Sequence, residues 1–181
     1  MVVIVVSGPP GSGKTTQAKL IARHYGLKYY SAGTIFRRIA MERGVSLEEL
    51  SRIAASDPSI DLEIDSRSLE MAKKGDVVID GHLTAWIVSE YADLRILITA
   101  PLLVRIKRIA QRDKVSFQQA ARETINREYY QIKRFIEYYG IDPGETSIFD
   151  IIVDTGKYSV EETFNILREA IDKILKSKNI R

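Results

Sequence analysis

The segment from residue 8 to residue 15, which reads Gly-Pro-Pro-Gly-Ser-Gly-Lys-Thr, constrains the fold of this chain more than any other. It follows the apolar run Val2–Val6 and leads into a segment of helical composition, from Thr16 to Tyr25. Glycines at these spacings let several backbone N–H groups converge on one phosphate, and the dipole of the following helix favours an anion at the same point. The pattern therefore predicts a strand, a phosphate-binding loop and a helix.

Two side chains of this loop carry chemistry of their own. In such a loop Lys14 reaches the β- and γ-phosphates of a nucleoside triphosphate, and the Thr15 hydroxyl is a ligand of Mg²⁺. We therefore expect a nucleotide-binding protein that uses Mg²⁺ as its cofactor. The residues predicted to contact the triphosphate are Gly8, Pro9, Pro10, Gly11, Ser12, Gly13, Lys14, Thr15 and Thr16.

Size and composition limit the remaining possibilities. A chain of 181 residues is long enough for one α/β domain with a small subdomain and too short for two ordinary domains. The absence of cysteine excludes disulfides, thiolate metal sites and cysteine nucleophiles. The arginines around a polyanionic ligand could by themselves supply the net charge of +3. No apolar run approaches the roughly 20 residues of a membrane span, and Met1–Ser7 has no leader features, so we expect a cytoplasmic protein that does not bind membranes.

Strands alternate with helices along the chain, which predicts a five-stranded parallel sheet with helices on both faces. Residues 37–74, between the second and third strands, are almost wholly helical, and so long an excursion suggests a subdomain that moves on the sheet. The predicted strands are Val2–Val6, Leu27–Tyr30, Val77–Ile79, Leu94–Thr99 and Phe149–Val153. The predicted helices are Thr15–Tyr25, Ile35–Arg43, Ser46–Ser56, Pro58–Lys74, Leu102–Asp113, Ser116–Tyr139 and Ser159–Lys176, with a solvated tail over Lys176–Arg181.

Polar residues follow the predicted strands, where open parallel sheets bind their ligands. Asp80 ends the third strand and is expected to hold Mg²⁺ through the water shell of the ion, although a turn aspartate would look the same. Arg37, in the helix after the second strand, could bind an acceptor phosphate with both arms of its guanidinium. Gly81 and His82 are candidate contacts to the acceptor. His82 has no acid–base role, because an ionised phosphate acceptor needs no general base.

The stretch from Leu102 to Arg134 is rich in cations. Helical spacing places Arg105, Arg108 and Arg112 on one face, and Arg127 and Arg134 on one face. Phosphoryl transfer between two nucleotides gathers many negative charges, so positioning and fixed cations perform most of the catalysis. Any single arginine could instead lie on a solvated helix face. Together they predict a cationic site for phosphoryl transfer, and Tyr129, Tyr130, Tyr138 and Tyr139 are interpreted as packing residues.

Several of these segments resemble the cytidylate kinases of the archaeal type, and the resemblance covers nearly the whole chain. The phosphate-binding loop occurs in many NTPases, so the segment from Ser31 to Arg37, which reads Ser-Ala-Gly-Thr-Ile-Phe-Arg, is the more discriminating one. The other segments that carry the resemblance are Asp57–Asp61, Asp65, Arg127-Glu128 and Arg134.

The resemblance implies transfer of the γ-phosphate of ATP to CMP, with dCMP and UMP as possible further acceptors, giving ADP and the nucleoside diphosphate with Mg²⁺. It implies a P-loop NTPase sheet in the order 2-3-1-4-5, with core segments at about 1–36, 75–111 and 127–181. A subdomain that binds the nucleoside monophosphate would span about 37–74, and a short lid about 112–126.

Individual residues receive roles from the same resemblance. Arg37 would hold the CMP phosphate, and Ser31 would lie beside the pyrimidine. Arg127 and Arg134 would clamp the phosphates when the lid closes. The arginines that precede the lid in nucleoside monophosphate kinases are similar to Arg105 and Arg108, and Asp154, with Thr155, would lie near the adenine of ATP.

The chain departs from the family pattern at two positions that bear on specificity. Bacterial cytidylate kinases have Arg-Asp where this chain has His82-Leu83, so their cytosine contacts do not carry over. The aspartate expected four residues after the first lid-closing arginine, which would accept from ribose hydroxyls, is Gln131 here. The choice among CMP, dCMP and UMP therefore stays open.

Two other functions remain as alternatives. A related P-loop kinase could act on adenylate or shikimate, although Arg37 and Arg38 occupy a helix on which a shikimate-type kinase would place an aspartate. A regulatory ATPase of a ribonucleoprotein would be expected to carry a long basic arm, which the terminal six residues barely provide. We expect a monomer that binds small nucleotides and no nucleic acid.

Overall fold

The computed structural model describes residues 1–178, which form a five-stranded parallel sheet with helices on both faces. The strands are β1 (Val3–Ser7), β2 (Lys28–Ser31), β3 (Val77–Asp80), β4 (Leu94–Thr99) and β5 (Ile151–Asp154). Their order is β2-β3-β1-β4-β5, and the strand pairs are parallel. The predicted fold class and strand order are confirmed, with strand bounds shifted by one or two residues at β1, β2, β3 and β5.

The helices also follow the predicted order, with one addition. They are α1 (Lys14–Tyr25), α2 (Ala32–Arg43), α3 (Leu47–Ala54), α4 (Ser59–Lys74), α5 (Thr84–Ile87), α6 (Leu102–Asp113), α7 (Phe117–Tyr139) and α8 (Val160–Ser177). The single turn α5 was not predicted, because four residues carry too little periodicity. Ser46, Ser116 and Ser159 each accept a hydrogen bond from the backbone N–H three residues on, which fixes the start of α3, α7 and α8.

The central strand β1 contributes side chains to the hydrophobic core on both faces of the sheet. Alternate residues point to opposite faces, so Ile4 packs with α1 and α8, and Val5 packs with α4 and α5. Both side chains are fully buried. Burying an aliphatic side chain of this size contributes about 1.5–3 kcal/mol, which anchors the strand that carries the phosphate-binding loop.

Helices α2, α3 and α4 have a hydrophobic cluster separate from those of the sheet. Phe36, Leu50 and Ile60 are among its buried members. Most of this cluster lies within residues 37–74, the segment predicted to be the subdomain for the nucleoside monophosphate, and Phe36 lies one residue before it. Tyr138 of α7 donates a hydrogen bond to the carbonyl of Ala54 at 3.1 Å, so α7 holds this cluster from outside. Independent motion of the unit stays a prediction.

The predicted lid corresponds to the corner between α6 and α7. Lys114 adopts a left-handed conformation with φ +56°, which ends α6 and turns the chain. Ile106, Ile109 and Ala120 pack in the corner. Opening and closing of this segment stay predictions.

Within residues 1–178, no helix combines the length and the apolar character that crossing a membrane requires. Residues 179–181 of the predicted solvated tail lie outside the described part of the chain.

Candidate active site

Two cavities meet beside the carboxyl ends of the strands. The first has a volume of about 660 Å³ and lies over the phosphate-binding loop and the start of α1. The second has a volume of about 100 Å³ and lies between α2, α4, α7 and the end of β3. The residues that line both cavities are Pro10, Lys14, Thr15, Arg37 and Arg127. A group held at this junction can therefore contact ligands in both cavities.

The glycines of the phosphate-binding loop are required by close packing as well as by backbone conformation. Gly8 has φ +149°, and a Cβ there would lie 2.1 Å from the carbonyl oxygen of Ile98. Gly11 has φ +78°, and its Cβ would lie 2.7 Å from the carbonyl oxygen of Arg105. The loop is therefore pressed against β4 and α6, and its backbone N–H groups are held in place before any phosphate binds.

Lys14 is partly buried at the junction of the two cavities. Its Nζ lies 3.5 Å from the carbonyl oxygen of Pro9, a weak hydrogen bond. Burial lowers the pKa of this amine to about 8, against the opposing effect of Asp80, and the nearby Arg127 and Arg37 lower it further. An anionic ligand at the junction would favour the protonated, positively charged form of Lys14.

Asp80 lies beneath the loop and gathers hydroxyl groups. Its Oδ2 accepts hydrogen bonds from Thr15 Oγ1 at 2.6 Å, Tyr29 Oη at 2.9 Å and Ser31 Oγ at 3.4 Å. Its Oδ1 is buried and has no hydrogen-bond partner among the described residues. An unsatisfied carboxylate oxygen beside a threonine hydroxyl is a donor set that suits Mg²⁺. Thr15 and Asp80 therefore fit the predicted metal role.

Arg105 has a different position from the one predicted. Its guanidinium is buried, forms an ion pair with Glu128 of α7 and donates to the carbonyl oxygen of Pro10 at 3.1 Å. It lines neither cavity. The structure thus gives Arg105 a supporting contact to the phosphate-binding loop, because its side chain points under the loop, and its catalytic role stays a prediction.

Arg108 supports the loop and also lines the first cavity. It donates to Thr155 Oγ1 at 2.8 Å and to the Thr155 carbonyl oxygen at 2.9 Å. Thr155 lines the same cavity, whereas Asp154 does not. The Asp154 carboxylate instead accepts from the N–H of Gly156 at 2.7 Å, which shapes the turn after β5. Its predicted contact with ATP is therefore not supported by its position.

The first cavity is also lined by apolar and aromatic groups that the sequence analysis did not single out. These are Leu47, Ile109, Tyr158, Val160 and the aliphatic part of Thr163. Tyr158 and Val160 follow the end of β5, so the rule that ligands bind after strand ends could have found them. Their chemistry suits a flat aromatic base.

The five residues predicted to bind the acceptor all line the second cavity. These are Ser31, Arg37, Asp80, Gly81 and His82. His82 Nδ1 lies 3.3 Å from Gln131 Oε1, and its ring meets Phe135 edge-on with 5.2 Å between the ring centroids. Burial, helped by the charge of Lys14, lowers the pKa of His82 to about 3. The ring is therefore neutral at physiological pH, as expected for a hydrogen-bonding residue rather than an acid or base.

Three further charged side chains, Asp61, Asp65 and Arg134, line the second cavity. Of these, only Arg134 was predicted as a site residue. This residue is 2% exposed, and its Nε lies 3.2 Å from Asp61 Oδ2. Asp65 lies one turn further along α4 and accepts a hydrogen bond from Tyr139 Oη. Burial raises the pKa of the Asp65 carboxyl to about 6. The sequence analysis noted Asp61 and Asp65 only as part of the resemblance. Their spacing of four residues could have indicated that both carboxylates share one face of a helix.

The cations at the junction face one another without enough negative charge to balance them. Burial lowers the pKa of Arg127 to about 10, and the neighbouring Arg37 and Arg112 add to the effect. Arg112 is paired with Asp113 at 2.7 Å, whereas Arg37 donates to the neutral Thr34 Oγ1 at 3.1 Å. Such a cluster is electrostatically suited to bind phosphate groups from both cavities.

The chain has close relatives among characterised families. A protein named cytidylate kinase from Staphylothermus marinus is 65% identical over 176 residues, which cover 97% of this chain and 99% of the relative. A second, from Desulfurococcus amylolyticus, is 61% identical over 180 residues, 99% of this chain and 97% of the relative. The chain belongs to the cytidylate kinase family. It is thus a nucleoside monophosphate kinase, and the resemblance found in the sequence is confirmed.

Two broader likenesses of this kinase concern its fold. A family model described as an AAA domain matches residues 7–134. A shikimate kinase from Bacteroides thetaiotaomicron superposes with a TM-score of 0.61 at 16% identity, over 94% of this chain and 98% of that one. At such low identity the likeness shows the shared P-loop kinase fold and does not favour shikimate as a substrate.

The structure of this kinase brings most of the predicted residues to the two cavities and leaves some outside. From the loop, the residues that line the first cavity are Pro10, Gly11, Gly13, Lys14, Thr15 and Thr16. Gly8, Pro9 and Ser12 lie behind it and shape the backbone. Of the catalytic candidates, Arg127 lines both cavities, Arg108 lines only the first and Arg134 only the second. Arg134 therefore lies in the second cavity and not at the junction, and its predicted role as a phosphate clamp stays a prediction.

Proposed function

We propose that this kinase transfers the γ-phosphate of Mg-ATP to CMP at the junction of the two cavities. The observation that carries the proposal is the group Lys14, Arg37 and Arg127, which lines both cavities at once. Three cations at one point suit the charge shared by a donor triphosphate and an acceptor monophosphate. ATP would occupy the first cavity and the acceptor the second.

The first cavity would bind ATP along its length. The adenine would lie against Ile109, Tyr158 and Val160, which supply apolar lining of this cavity. The phosphates would lie on the loop N–H groups with Lys14 at the γ-position. Thr15 and Asp80 would hold Mg²⁺, which neutralises charge on the phosphate oxygens when bound.

The second cavity would orient the acceptor for attack. Arg37 and Arg127 would hold its phosphate in line with the γ-phosphate of ATP. Because the acceptor oxygen is already ionised, this chain needs no residue to remove a proton. The neutral His82 is consistent with such a mechanism. The work of the protein is then positioning, charge compensation and exclusion of water.

The unit formed by α2, α3 and α4 and the corner between α6 and α7 would close over the two nucleotides. Closure would exclude water, so that the γ-phosphate is transferred to the acceptor and not hydrolysed. We also infer that the kinase acts as a monomer on small nucleotides in the cytoplasm.

The proposal is tested by following ADP formation from Mg-ATP with CMP, dCMP, UMP, AMP and shikimate, each supplied separately. CMP should give the highest kcat/KM, and a reaction without acceptor should be slow. Equal ADP formation with no acceptor would favour an ATPase and contradict phosphoryl transfer. A preference for AMP would contradict CMP as the substrate while leaving the fold and the family unchanged.

A further inference from the structure

The second cavity has chemically distinct ends. The end shared with the first cavity is cationic, with Lys14, Arg37 and Arg127. Three carboxylates line only the second cavity. Asp80 lies beside Thr15 and Lys14 and is the proposed Mg²⁺ ligand, whereas Asp61 and Asp65 lie on α4 with Arg134. An acceptor phosphate is attracted to the cationic end and repelled by Asp61 and Asp65. If the cavity binds a nucleoside monophosphate, as the proposed function requires, its base must therefore lie toward these two carboxylates.

The second cavity also has apolar walls that suit a flat ring, formed by Phe36, Ile64 and Phe135. The guanidinium carbon of Arg134 lies 5.7 Å from the centre of the Phe36 ring and 6.0 Å from that of Phe135. Apolar rings next to buried charged atoms are the combination that a site for a flat, polar-edged base requires.

The charged atoms of Asp61, Asp65 and Arg134 present an unsatisfied pattern of donors and acceptors. Arg134 is 2% exposed, and its Nη1 is buried without a hydrogen-bond partner among the described residues. Asp61 balances the charge of Arg134 through its contact with Nε at 3.2 Å. Asp65 receives the hydrogen bond of Tyr139 on Oδ2, which leaves Oδ1 able to accept from a ligand. The site thus offers an acceptor next to a donor.

The edge of cytosine complements this pattern, and the edge of uracil does not. Cytosine has an N4 amino donor beside the N3 and O2 acceptors. Uracil has the O4 acceptor at the amino position and a donor at N3, so it would place an oxygen against a carboxylate and an N–H against a guanidinium. Both mismatches would be buried, which makes them costly.

We propose that Asp65 recognises the amino group of the acceptor base and that Arg134, positioned by Asp61, donates to N3 and O2. These residues then select CMP over UMP. Sites that hydrogen-bond a substrate group can reject analogues lacking it by about 10⁴-fold. We expect the wild-type kcat/KM to favour CMP over UMP by at least about 100-fold.

The first experiment compares kcat/KM for CMP and UMP in the wild type, Asp65→Asn and Glu63→Gln. Asparagine can turn its amide to donate to O4, so the CMP-to-UMP ratio should fall at least about tenfold in Asp65→Asn. Glu63 lies on the same helix, is exposed and pairs with Arg67 at 2.7 Å, so its variant should keep the wild-type ratio. A folded Asp65→Asn enzyme with the wild-type ratio would overturn the assignment of Asp65.

A second experiment uses the wild type and so does not depend on the folding of a variant. The 5′-monophosphate of the pyrimidin-2-one riboside keeps N3 and O2 but carries hydrogen in place of the amino group. Its kcat/KM should be at least about tenfold below that of CMP. Equal use of the analogue and CMP would overturn recognition of the amino group, even though CMP kinase activity stands. If the wild type phosphorylates no nucleoside monophosphate at all, the proposed function itself fails.

Discussion

The two cavities differ in how the chain builds them. Much of the first comes from one continuous segment, because residues 10–17 supply both its loop and the start of α1, with Ser12 alone turned away. The second is assembled from short pieces spread between Pro10 and Tyr139. A backbone motif can be specified locally, whereas a pocket for a particular base needs side chains from several elements.

The cavities also differ in their charge. In the first, the carboxylate that lines it, Asp113, is paired with Arg112 at 2.7 Å. In the second, Asp61 and Asp65 lie among arginines and share one end. The first cavity is thus suited to bind a polyanion of any base, and the second can distinguish among acceptors.

The largest expected effect concerns the cation at the junction. Lys14→Ala should lower kcat by about 10³-fold with every acceptor, because a preorganised contact to the transferred phosphate is lost. Lys19→Ala, an exposed position on the same helix, should keep normal turnover. Steady-state kinetics with CMP and dCMP would measure both. A Lys14→Ala enzyme with near-normal turnover would contradict the mechanism.

The next effect tests the support beneath the first cavity. Glu128→Ala should lower the free energy of unfolding by about 3 kcal/mol, because it leaves the buried Arg105 guanidinium without its carboxylate. Glu137→Ala, on the exposed face of α7, should change it by less than about 0.5 kcal/mol. Urea unfolding measures both values. Recovery of stability in the double variant Arg105→Met with Glu128→Leu would show that the loss comes from the unpaired charge.

A third change separates the two cavities functionally. Arg37→Ala should raise the KM for CMP by about 10- to 100-fold and the KM for ATP much less, because Arg37 is assigned to the acceptor phosphate. Its neighbour Arg38 is exposed and lies 3.6 Å from Glu42, so Arg38→Ala should leave both constants unchanged. Equal increases for the two substrates would assign Arg37 to both cavities.

The smallest effect is a pH dependence in the first cavity. The Lys14 amine binds phosphate in its protonated form, and its pKa in the free protein is lowered to about 8. ATP affinity should therefore be constant at lower pH and be lost as pH rises through 8, by about tenfold at pH 9. Calorimetric titration between pH 6 and pH 9 would measure this. In Lys14→Arg the slope should vanish, since a guanidinium keeps its charge in this range.

The sequence predicted the fold well wherever the signal was local. The bounds of β4 and α6 agree with the prediction, because an apolar run and a proline mark their ends. The loop, Thr15 and Asp80 were also found from local patterns, and a hydrogen bond now joins the last two. The α5 turn was not predicted, because contacts with other elements, rather than the pattern of its own four residues, stabilise it.

Prediction was weaker where one helix face meets several environments. Arg105, Arg108 and Arg112 share a face by spacing, yet their surroundings differ. Arg105 lies under the loop, Arg108 binds Thr155 after β5, and Arg112 lines the first cavity. Helical periodicity gives the direction of a side chain only to within a broad sector. It cannot show which neighbouring chain segment fills that sector.

By itself, the sequence determined the alternation of strands and helices, the phosphate-binding loop and the chemistry of phosphoryl transfer, because these depend on backbone sterics and on residues adjacent along the chain. The strand order came from the resemblance to the family. The tertiary structure alone decided the acceptor end, where Asp65 of α4 meets Arg134 and Tyr139 of α7. Asp65 and Tyr139 are 74 positions apart along the chain, so no local pattern relates them. Their contact exists because the cluster of α2, α3 and α4 packs beside α7, which turns two ordinary helix positions into one buried site.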